Sequence, residues 1–327
     1  MNELAVCFAL TLLLDAALGE PPNRFHPVAW FGQCAARVET LCRRLAGNGV
    51  FAGLVAWLVM VVPLPAAAAA AIRHLEILHP AAAPVAAAAV AYFCIALRSL
   101  HDHAERIAAP LARGDLPEAR SALSRIVSRE TDGLPESEIV RGAIESLGEN
   151  LIDAVTAVWF WMFAGYFAGG LPGAVACAVL LREINTLDAC WGYRNERYLR
   201  FGRIAARSDD AVCFLPARLT LIAVAAAAPL VGGSPWKTLT TGWRHRGDHP
   251  SPNSTFGMAG FAGALGIGLG GPTVYRDGVE RYPVWGRGRR ELDRRDLRRA
   301  EILTWGGGIV FPLLLLGGGL LWRTVFF

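Results

Sequence analysis

Long apolar blocks constrain this chain more than any other feature, because they alternate with polar stretches instead of following an amphipathic pattern. Hydrophobic residues make up 54% of its 327 residues and charged residues only 18%, whereas a soluble domain carries about a quarter charged residues. The mean hydropathy is +0.35. In lipid, helices satisfy their own backbone hydrogen bonds. We therefore predict an all-α fold, a polytopic helical bundle in the membrane with cytoplasmic helical loops, as one domain over residues 1–327.

Seven blocks are candidate membrane spans. They are Leu4–Leu18, Val50–Ile72, Ala81–Leu97, Ala154–Ala168, Leu171–Leu181, Ala211–Val231 and Ile309–Trp322. Several are shorter than the roughly 20 residues of a straight span, so re-entrant segments are also expected. We favour re-entry for Ala211–Val231, because the following polar segment then stays on the same side as the others. Met258–Gly271 is apolar but glycine-rich, and the sequence leaves open whether it crosses.

The distribution of arginine predicts how the chain is oriented. Lysine occurs once, at 237, so arginine supplies nearly all of the 32 basic residues. The arginines concentrate in residues 20–49, 98–150, 184–210 and 273–300. By the positive-inside rule these segments face the cytoplasm and the N-terminus lies outside. We expect a multi-pass protein of the cell membrane with its active site on the cytoplasmic side.

Several other function classes find no support in the sequence. The seven cysteines are scattered without a CxxC pair, which predicts packed, reduced thiols. The patterns GxxxxGK[ST], GxSxG and HExxH are all missing, so none of the usual nucleotide, hydrolase or zinc-protease motifs applies. The sequence of residues 286–303 predicts a basic amphipathic helix on the membrane surface. Nucleic acid is not an expected partner, because no recognition module accompanies the basic residues.

Acidic residues gather on one predicted helix that opens at Pro135. Glu145, Glu149 and Asp153 stand at i, i+4 and i+8 and lead into an apolar block. Like charges on one helix face repel unless they share a cation, and charges near a membrane are usually functional. Oxygen ligands of this kind suit Mg²⁺. Alternatively, Arg141 pairs with Glu145 four residues later.

A second polar stretch, WGYRNERYLRFGRIAARSDD, runs from Trp191 to Asp210. Its five arginines recur every three or four residues, which predicts one side of a helix. The planar guanidinium suits phosphate and carboxylate recognition. Asn185 and Asp188 precede this stretch and Asn195 lies within it. Binding of anionic lipid headgroups is the alternative for the outer arginines.

Two proline-containing loops complete the polar inventory. His26 precedes a proline in GEPPNRFHPV, and the motif HPSPNS presents His249, Ser251 and Asn253. Proline fixes its own φ and restricts the preceding residue, so these side chains are held on stiff turns. Helix capping is the alternative for the acidic residues beside His26. Together, the polar segments favour an Mg²⁺-dependent reaction on an anionic, phosphorylated substrate.

The order and wording of these motifs resemble the adenosylcobinamide-phosphate synthase family of cobalamin biosynthesis, the CobD/CbiB type. The similar stretches span nearly the whole chain. They are LGEPPNRFHPV (18–28), SRETDGL (128–134), ESLGENLIDAV (145–155), NTLDACWGYRNERYLRFGRIAARSDD (185–210), PARLT (216–220), HPSPNS (249–254) and AGALGIGLGGP (262–272). Many members carry an aromatic-Pro-Glu stretch where this chain has Phe256-Gly257-Met258, so the acid that they offer is missing here.

The resemblance implies an integral membrane enzyme that joins an aminoalcohol phosphate, typically (R)-1-amino-2-propanol O-2-phosphate, to a propionate carboxyl of adenosylcobyric acid. It implies ATP as cosubstrate, Mg²⁺ as cofactor and a corrinoid as substrate. Membrane lipid and other membrane enzymes of late cobalamin assembly are further candidate partners. A lipid-headgroup phosphotransferase and a non-enzymatic membrane partner protein are the alternatives.

Within that reaction we assign roles to the polar residues. The predicted catalytic residues are His26, Glu149 and Asp188. The predicted Mg²⁺ ligands are Glu145, Glu149, Asp153 and Asp188. The residues predicted to bind phosphate or shape the substrate pocket are Arg129, Arg194, Asn195, Arg197, His249, Ser251 and Asn253. The amine must lose a proton, which is a task for His26 or for a carboxylate of suitable pKa.

Overall fold

The computed structural model describes residues 1–275 and 278–326, and helices dominate them. The helices are α1 (Asn2–Leu18), α2 (Pro27–Ala46), α3 (Val50–Val61), α4 (Pro63–Leu78), α5 (Ala83–Tyr92), α6 (Leu97–Ala112), α7 (Leu116–Leu123), α8 (Glu136–Leu151), α9 (Ala157–Trp191), α10 (Arg203–Val212), α11 (Phe214–Ala227), α12 (Pro235–Arg244), α13 (Ser254–Leu265) and α14 (Arg294–Phe326). Strands β1 (Leu269–Tyr275) and β2 (Gly278–Trp285) form one antiparallel hairpin. The prediction of a polytopic helical membrane protein is confirmed.

Five helical stretches of the described chain are long and apolar enough to cross a membrane. They are Val50–Leu78, Pro80–Ala112, Glu136–Trp191, Phe214–Val231 and Arg294–Leu321. These stretches contain or overlap six of the seven predicted spans. The seventh, Leu4–Leu18, lies on α1, which has 17 residues and is shorter than each of these five stretches. Whether Ala211–Val231 re-enters stays a prediction.

A glycine break divides the longest of these stretches. Gly170 has φ 65°, and the helical geometry of α9 is interrupted at Gly169 and Gly170, as the two predicted spans on either side require. A Cβ added at Gly165 would lie 2.3 Å from the carbonyl oxygen of Gly173. The absence of side chains at both glycines therefore lets the two limbs of α9 come into backbone contact.

The chain folds into two compact units, and the first comprises residues 1–96, 157–213 and 315–327. In this unit α4 and α2 pack against α9, and α1 packs against α5. Its core includes large side chains that are almost fully buried, among them Phe31, Trp191 and Phe201. The prediction of a single domain over 1–327 stays a prediction.

The second unit comprises residues 97–156 and 214–314. Every residue of α13 is buried, and this helix packs against α8, α11 and α12. Hairpin β1–β2 follows α13, with Leu269 opposite Trp285 and a bulge between Gly270 and Pro272. The undecided run Met258–Gly271 is thus divided between a 12-residue helix and a strand, and does not form one spanning helix.

Two helices of this unit begin where the rules for capping residues and N-terminal prolines place helix starts. Asp115 caps α7, because its Oδ1 accepts from the Glu118 N–H at 3.0 Å. Helix α8 starts directly after Pro135, also as expected. Beyond Leu151 the chain makes a π turn over residues 152–156. Regular helix therefore ends two residues before Asp153, and the predicted i+8 position on a continuous α-helix is wrong.

Two helix predictions were too long. The arginine stretch is not one helix, because residues 192–202 are not helical, with turns over 196–202, and α10 begins only at Arg203. A Cβ at Gly202 would lie 1.7 Å from the carbonyl oxygen of Trp191, and this close approach fixes the chain reversal. Likewise, α14 begins at Arg294, where the Asp293 side chain accepts from two backbone N–H groups. The helix predicted over 286–303 therefore includes residues 286–293, which lie before α14.

Helices α8 and α13 meet at a pair of glycines, and this contact yields a stability prediction. A Cβ at Gly257 would lie 2.0 Å from the Gly148 carbonyl oxygen, so Gly257→Ala must push the helices apart. We expect a loss of about 1–3 kcal/mol in unfolding free energy. Thermal unfolding in detergent would measure it.

Gly260→Ala on the same helix is the matched control, because its Cβ would meet the ends of two side chains, Leu221 at 3.0 Å and Val224 at 3.9 Å, instead of backbone. It should destabilise less than Gly257→Ala. Equal melting temperatures for the two variants would contradict the close-contact explanation.

Candidate functional site

A buried carboxylate on α8 lies at the centre of the second unit's polar contacts. Glu145 is 3% exposed, and its Oε2 accepts from Arg129 Nη2 at 2.5 Å. Its Oε1 accepts from the Gly270 backbone N–H at 2.7 Å and lies 3.4 Å from Arg141 Nη1. The alternative that Arg141 pairs with Glu145 is confirmed. A metal ion at Glu145 would have to compete with both guanidinium groups, and its role as an Mg²⁺ ligand stays a prediction.

Arg141 attaches the β-hairpin to α8. Its guanidinium donates to the carbonyl oxygens of Gly270 and Pro272, at 2.9 and 3.1 Å, and to Thr273 Oγ1 at 3.3 Å. Its Nε donates to Glu138 at 2.8 Å. One arginine thus donates to several acceptors at the bulged start of β1, and these contacts hold the hairpin in place beside Glu145.

Beside Glu145, and within the second unit, lies a cavity of about 140 Å³. Its lining residues include Arg129, Glu145, Ser146, Glu149, His249, Met258, Tyr275, Tyr282 and Trp285. Glu149 accepts from Ser254 Oγ at 2.8 Å, which orients its carboxylate. The His249 ring stacks on Tyr282 with a centroid separation of 5.2 Å. The cavity therefore combines an arginine, two carboxylates, an imidazole and two phenols.

Arg129 is the most constrained of these groups. Burial alone would lower its pKa, but the adjacent Glu145 carboxylate outweighs burial and holds the pKa above its ordinary value. Its Nη1 is buried and donates to no partner within residues 1–275 and 278–326. Burial raises the pKa of Tyr275 and of Tyr282, so both phenols stay neutral hydrogen-bond donors. A positive charge with a spare buried donor suits an anionic ligand.

The motif HPSPNS forms a compact turn at the cavity. His249 Nδ1 accepts from the Ser251 N–H at 3.1 Å, and Ser251 Oγ accepts from the Asn253 N–H at 3.3 Å. Asn253 Oδ1 accepts from Arg218 at 3.3 Å. Of the three residues predicted to shape the pocket, His249 lines the cavity and the other two stabilise the turn that holds it.

His26 and Asp188, two of the residues predicted to be catalytic, lie in the first unit. His26 Nδ1 accepts from the Val28 N–H at 3.2 Å and so caps α2, while its Nε2 lies 3.6 Å from Glu20. Burial lowers the pKa of His26. Asp188 is on α9 with its Oδ1 against Gly192, where a Cβ would come within 1.9 Å. Its functional role stays a prediction.

Arg197, from the arginine stretch, contacts a carboxylate that the sequence analysis missed. Glu39 is 3% exposed, and its Oε1 accepts from Arg197 and from Arg43, each at 2.9 Å. Its Oε2 accepts from the Tyr198 hydroxyl at 3.2 Å. Asn195 Oδ1 accepts from the Tyr198 N–H at 3.1 Å and shapes the same turn. The spacing of Glu39 and Arg43, four residues apart on α2, is the sequence signal that could have identified this cluster.

Arg194 lies in the irregular segment that follows α9. Its predicted role in phosphate binding stays a prediction, as do those of Asn195 and Arg197. Asp153 lies in the π turn of the second unit. The cavity brings together Arg129, Glu145, Glu149 and His249 among the predicted residues. Tyr275, Tyr282 and Trp285 were missed, although YPVW after a glycine-rich run is typical of a β-strand.

The chain is similar to known proteins over almost its full length. Residues 8–304 match the model of a family described as CobD/Cbib protein. A cobalamin biosynthesis protein CobD of Geobacter metallireducens is 39% identical over 317 residues, which are 96% of this chain and 96% of the relative. A CobD of Stutzerimonas stutzeri is 41% identical over 95% of this chain and 96% of its own.

A cobalamin biosynthesis protein CbiB of Salmonella typhimurium is 34% identical over 319 residues, 97% of either chain. No solved structure matches the chain. Identity at this level over 95–97% of both chains means a shared family, and the resemblance inferred from the motifs is confirmed. The chain belongs to the CobD/CbiB family of cobalamin biosynthesis proteins.

Proposed function

We propose that this protein is an adenosylcobinamide-phosphate synthase, an ATP- and Mg²⁺-dependent ligase. It would form an amide between adenosylcobyric acid and aminopropanol phosphate or a related aminoalcohol phosphate. Family membership supports a role in cobalamin biosynthesis. The observation that carries the chemistry is the cavity of the second unit, where Arg129 has a buried donor without a partner among the described residues and Glu149 contributes a half-buried carboxylate.

The size of the cavity limits what it can enclose. Its volume of about 140 Å³ is well below the roughly 300–1,000 Å³ of a pocket that holds a whole drug-sized ligand. We infer that it receives the reacting phosphate and carboxyl groups, while the corrinoid and the nucleoside stay outside it. A small, arginine-lined cavity of this kind favours a phosphorylated group over an apolar one.

The residues fit the groups that the reaction needs. Carboxylate oxygens suit Mg²⁺, and Glu149 is the cavity carboxylate that no arginine of the described chain engages. When bound, Mg²⁺ would stabilise negative charge on the phosphate oxygens. Arg129 would bind a phosphate oxygen through Nη1, since its Nη2 is already committed to Glu145. His249 and Tyr282 would form the wall against which the substrate packs.

The proposed reaction has two steps. First, a carboxylate oxygen of the corrinoid attacks the γ-phosphorus of ATP, the bond to the bridging oxygen breaks, and ADP leaves. The amine nitrogen then attacks the carbonyl carbon of the acyl phosphate, the C–O bond to phosphate breaks, and inorganic phosphate leaves. Both steps gather negative charge on oxygens, which a fixed guanidinium stabilises. The amine gives up one proton to a base.

For that base we favour Glu149 over His26. The Nδ1 lone pair of His26 already accepts from the Val28 N–H, so taking up a proton there would remove the cap of α2. Asp188 stays an alternative proton acceptor or Mg²⁺ ligand. We place the reaction on the cytoplasmic side of the cell membrane, on the positive-inside argument, with membrane lipid as the surrounding partner.

The first experiment is an assay on purified protein in detergent with adenosylcobyric acid, aminopropanol phosphate, ATP and Mg²⁺. Mass spectrometry should find the amide product, and its formation should require both ATP and Mg²⁺. No product from folded protein would contradict the ligase proposal. Transfer of a lipid headgroup in the same preparation would point to a phosphotransferase instead, and no turnover of either kind would favour a non-enzymatic partner protein.

Glu149→Gln removes the negative charge but keeps the shape and the acceptor for Ser254. We expect ligation to fall about 10- to 100-fold, which corresponds to the loss of one charge-assisted contact. If Glu149 binds Mg²⁺, excess Mg²⁺ should restore part of the rate. A rate that stays low at every Mg²⁺ concentration, with an altered pH profile, would identify it as the base.

Glu118→Gln is the matched control, because Glu118 lies in an exposed ion pair with Arg113 on the same unit. It should leave the rate unchanged. Full activity in Glu149→Gln would remove this residue from the proposed mechanism.

Arg129→Lys tests the phosphate contact separately. Lysine keeps a positive charge beside Glu145 but cannot offer the guanidinium's second nitrogen. We expect KM for the phosphorylated substrates to rise about tenfold, with a smaller change in kcat. Arg125→Lys, at an exposed position nearby in sequence, is the control and should behave as wild type. An unchanged KM in Arg129→Lys would contradict the assignment.

A further inference from the structure

A second group of metal-ligating side chains lies in the second unit, where α6 and α14 approach each other. His101 and Glu105 stand four residues apart on α6, and Glu301 is on α14. Each residue offers one ligand atom, and these atoms all lie within 4.8 Å of one another. The group shares no residue with the cavity that contains Glu149.

Two of these ligand groups have unused hydrogen-bonding capacity. Glu301 is 5% exposed, and its Oε1 has no hydrogen-bond partner in the described residues. His101 Nδ1 is also buried and makes no hydrogen bond there; it lies 3.7 Å from Glu301 Oε2. Trp305 contacts the imidazole edge with ring centroids 6.3 Å apart, which fixes its orientation. Buried polar atoms normally have a partner, so these two point to a ligand.

The charges of the group favour a cation. Arg298 Nη1 contacts both Glu105 and Glu301, the latter at 3.1 Å, so a single guanidinium serves two carboxylates. The nearby Arg98–Asp102 pair, 2.7 Å apart, is neutral as a whole. With a neutral imidazole, the two carboxylates and the Arg298 guanidinium together therefore carry a net charge of −1. The Arg298 side chain is 53% exposed and can turn into solvent when a metal replaces it.

We propose that His101, Glu105 and Glu301 bind a divalent first-row transition metal ion such as Zn²⁺. One imidazole nitrogen and two carboxylate oxygens are ligands that such ions accept, whereas Mg²⁺ prefers oxygen ligands alone. The bound ion connects α6 to α14 and stabilises the folded state of the second unit by mass action. The site is structural and separate from the Mg²⁺-dependent chemistry proposed above.

The test uses full-length protein without a polyhistidine tag, stripped with a chelator and titrated with Co²⁺ in millimolar Mg²⁺. We expect one Co²⁺ per chain by d–d absorption and elemental analysis, displaced by Zn²⁺, with a higher melting temperature when metal is bound. His101→Asn and Glu301→Gln should each weaken binding by at least about tenfold. No Co²⁺ binding, or binding unaffected by either substitution, would overturn the proposal.

Two further variants complete the test. His103 lies on the same helix but outside the group, so the variant His103→Asn should bind Co²⁺ as the wild type does. Arg298→Ala removes the guanidinium that competes for the two carboxylates, so its affinity for Co²⁺ should rise. This variant retains all three ligands, so it reports on the site even if loss of a ligand prevents folding. An affinity that falls in Arg298→Ala, or an equal loss in His103→Asn, would contradict the site.

Discussion

The candidate site depends on the burial of the Glu145 carboxylate between two guanidinium groups and a backbone N–H. A buried carboxylate is costly unless it is paired and hydrogen-bonded, and here each partner comes from a different segment: Arg129, Arg141 and Gly270. The charge therefore links α8 to the loop before it and to the hairpin after α13. Removing one partner would leave the buried negative charge of Glu145 partly uncompensated and would open the cavity beside Glu149.

The first unit contains a comparable arrangement around Glu39. There, too, a buried acid on a helix is contacted by two arginines and a tyrosine hydroxyl. In both units a buried carboxylate engages an arginine that the sequence analysis assigned to phosphate binding, Arg129 in the second unit and Arg197 in the first. Arginine is well suited to this, because its rigid fork can hold a carboxylate and a backbone carbonyl together, as Arg43 does with Glu39 and the Arg197 carbonyl.

Apolar blocks and caps were readable from sequence because they depend on local composition. The break at Gly170, the cap at Asp115 and the start of α8 followed the expected rules. The arginine stretch was misread because helical spacing competes with tertiary contacts, here those of Glu39 and Gly202. The cavity was only half predicted: Arg129, Glu145, Glu149 and His249 were named, but its aromatic wall comes from a hairpin whose pairing depends on positive-φ glycines and a bulge.

The way Arg141 holds the hairpin has a consequence for how this part of the molecule responds to its medium. The Arg141 side chain is 4% exposed, and most of its acceptors are backbone and hydroxyl oxygens. Mobile ions screen exposed charges strongly and buried ones weakly. The hairpin should therefore stay docked across a wide range of ionic strength, while exposed pairs such as Arg113–Glu118 dissociate. High salt during purification would therefore break the exposed ion pairs of this unit and leave the contacts around its cavity intact.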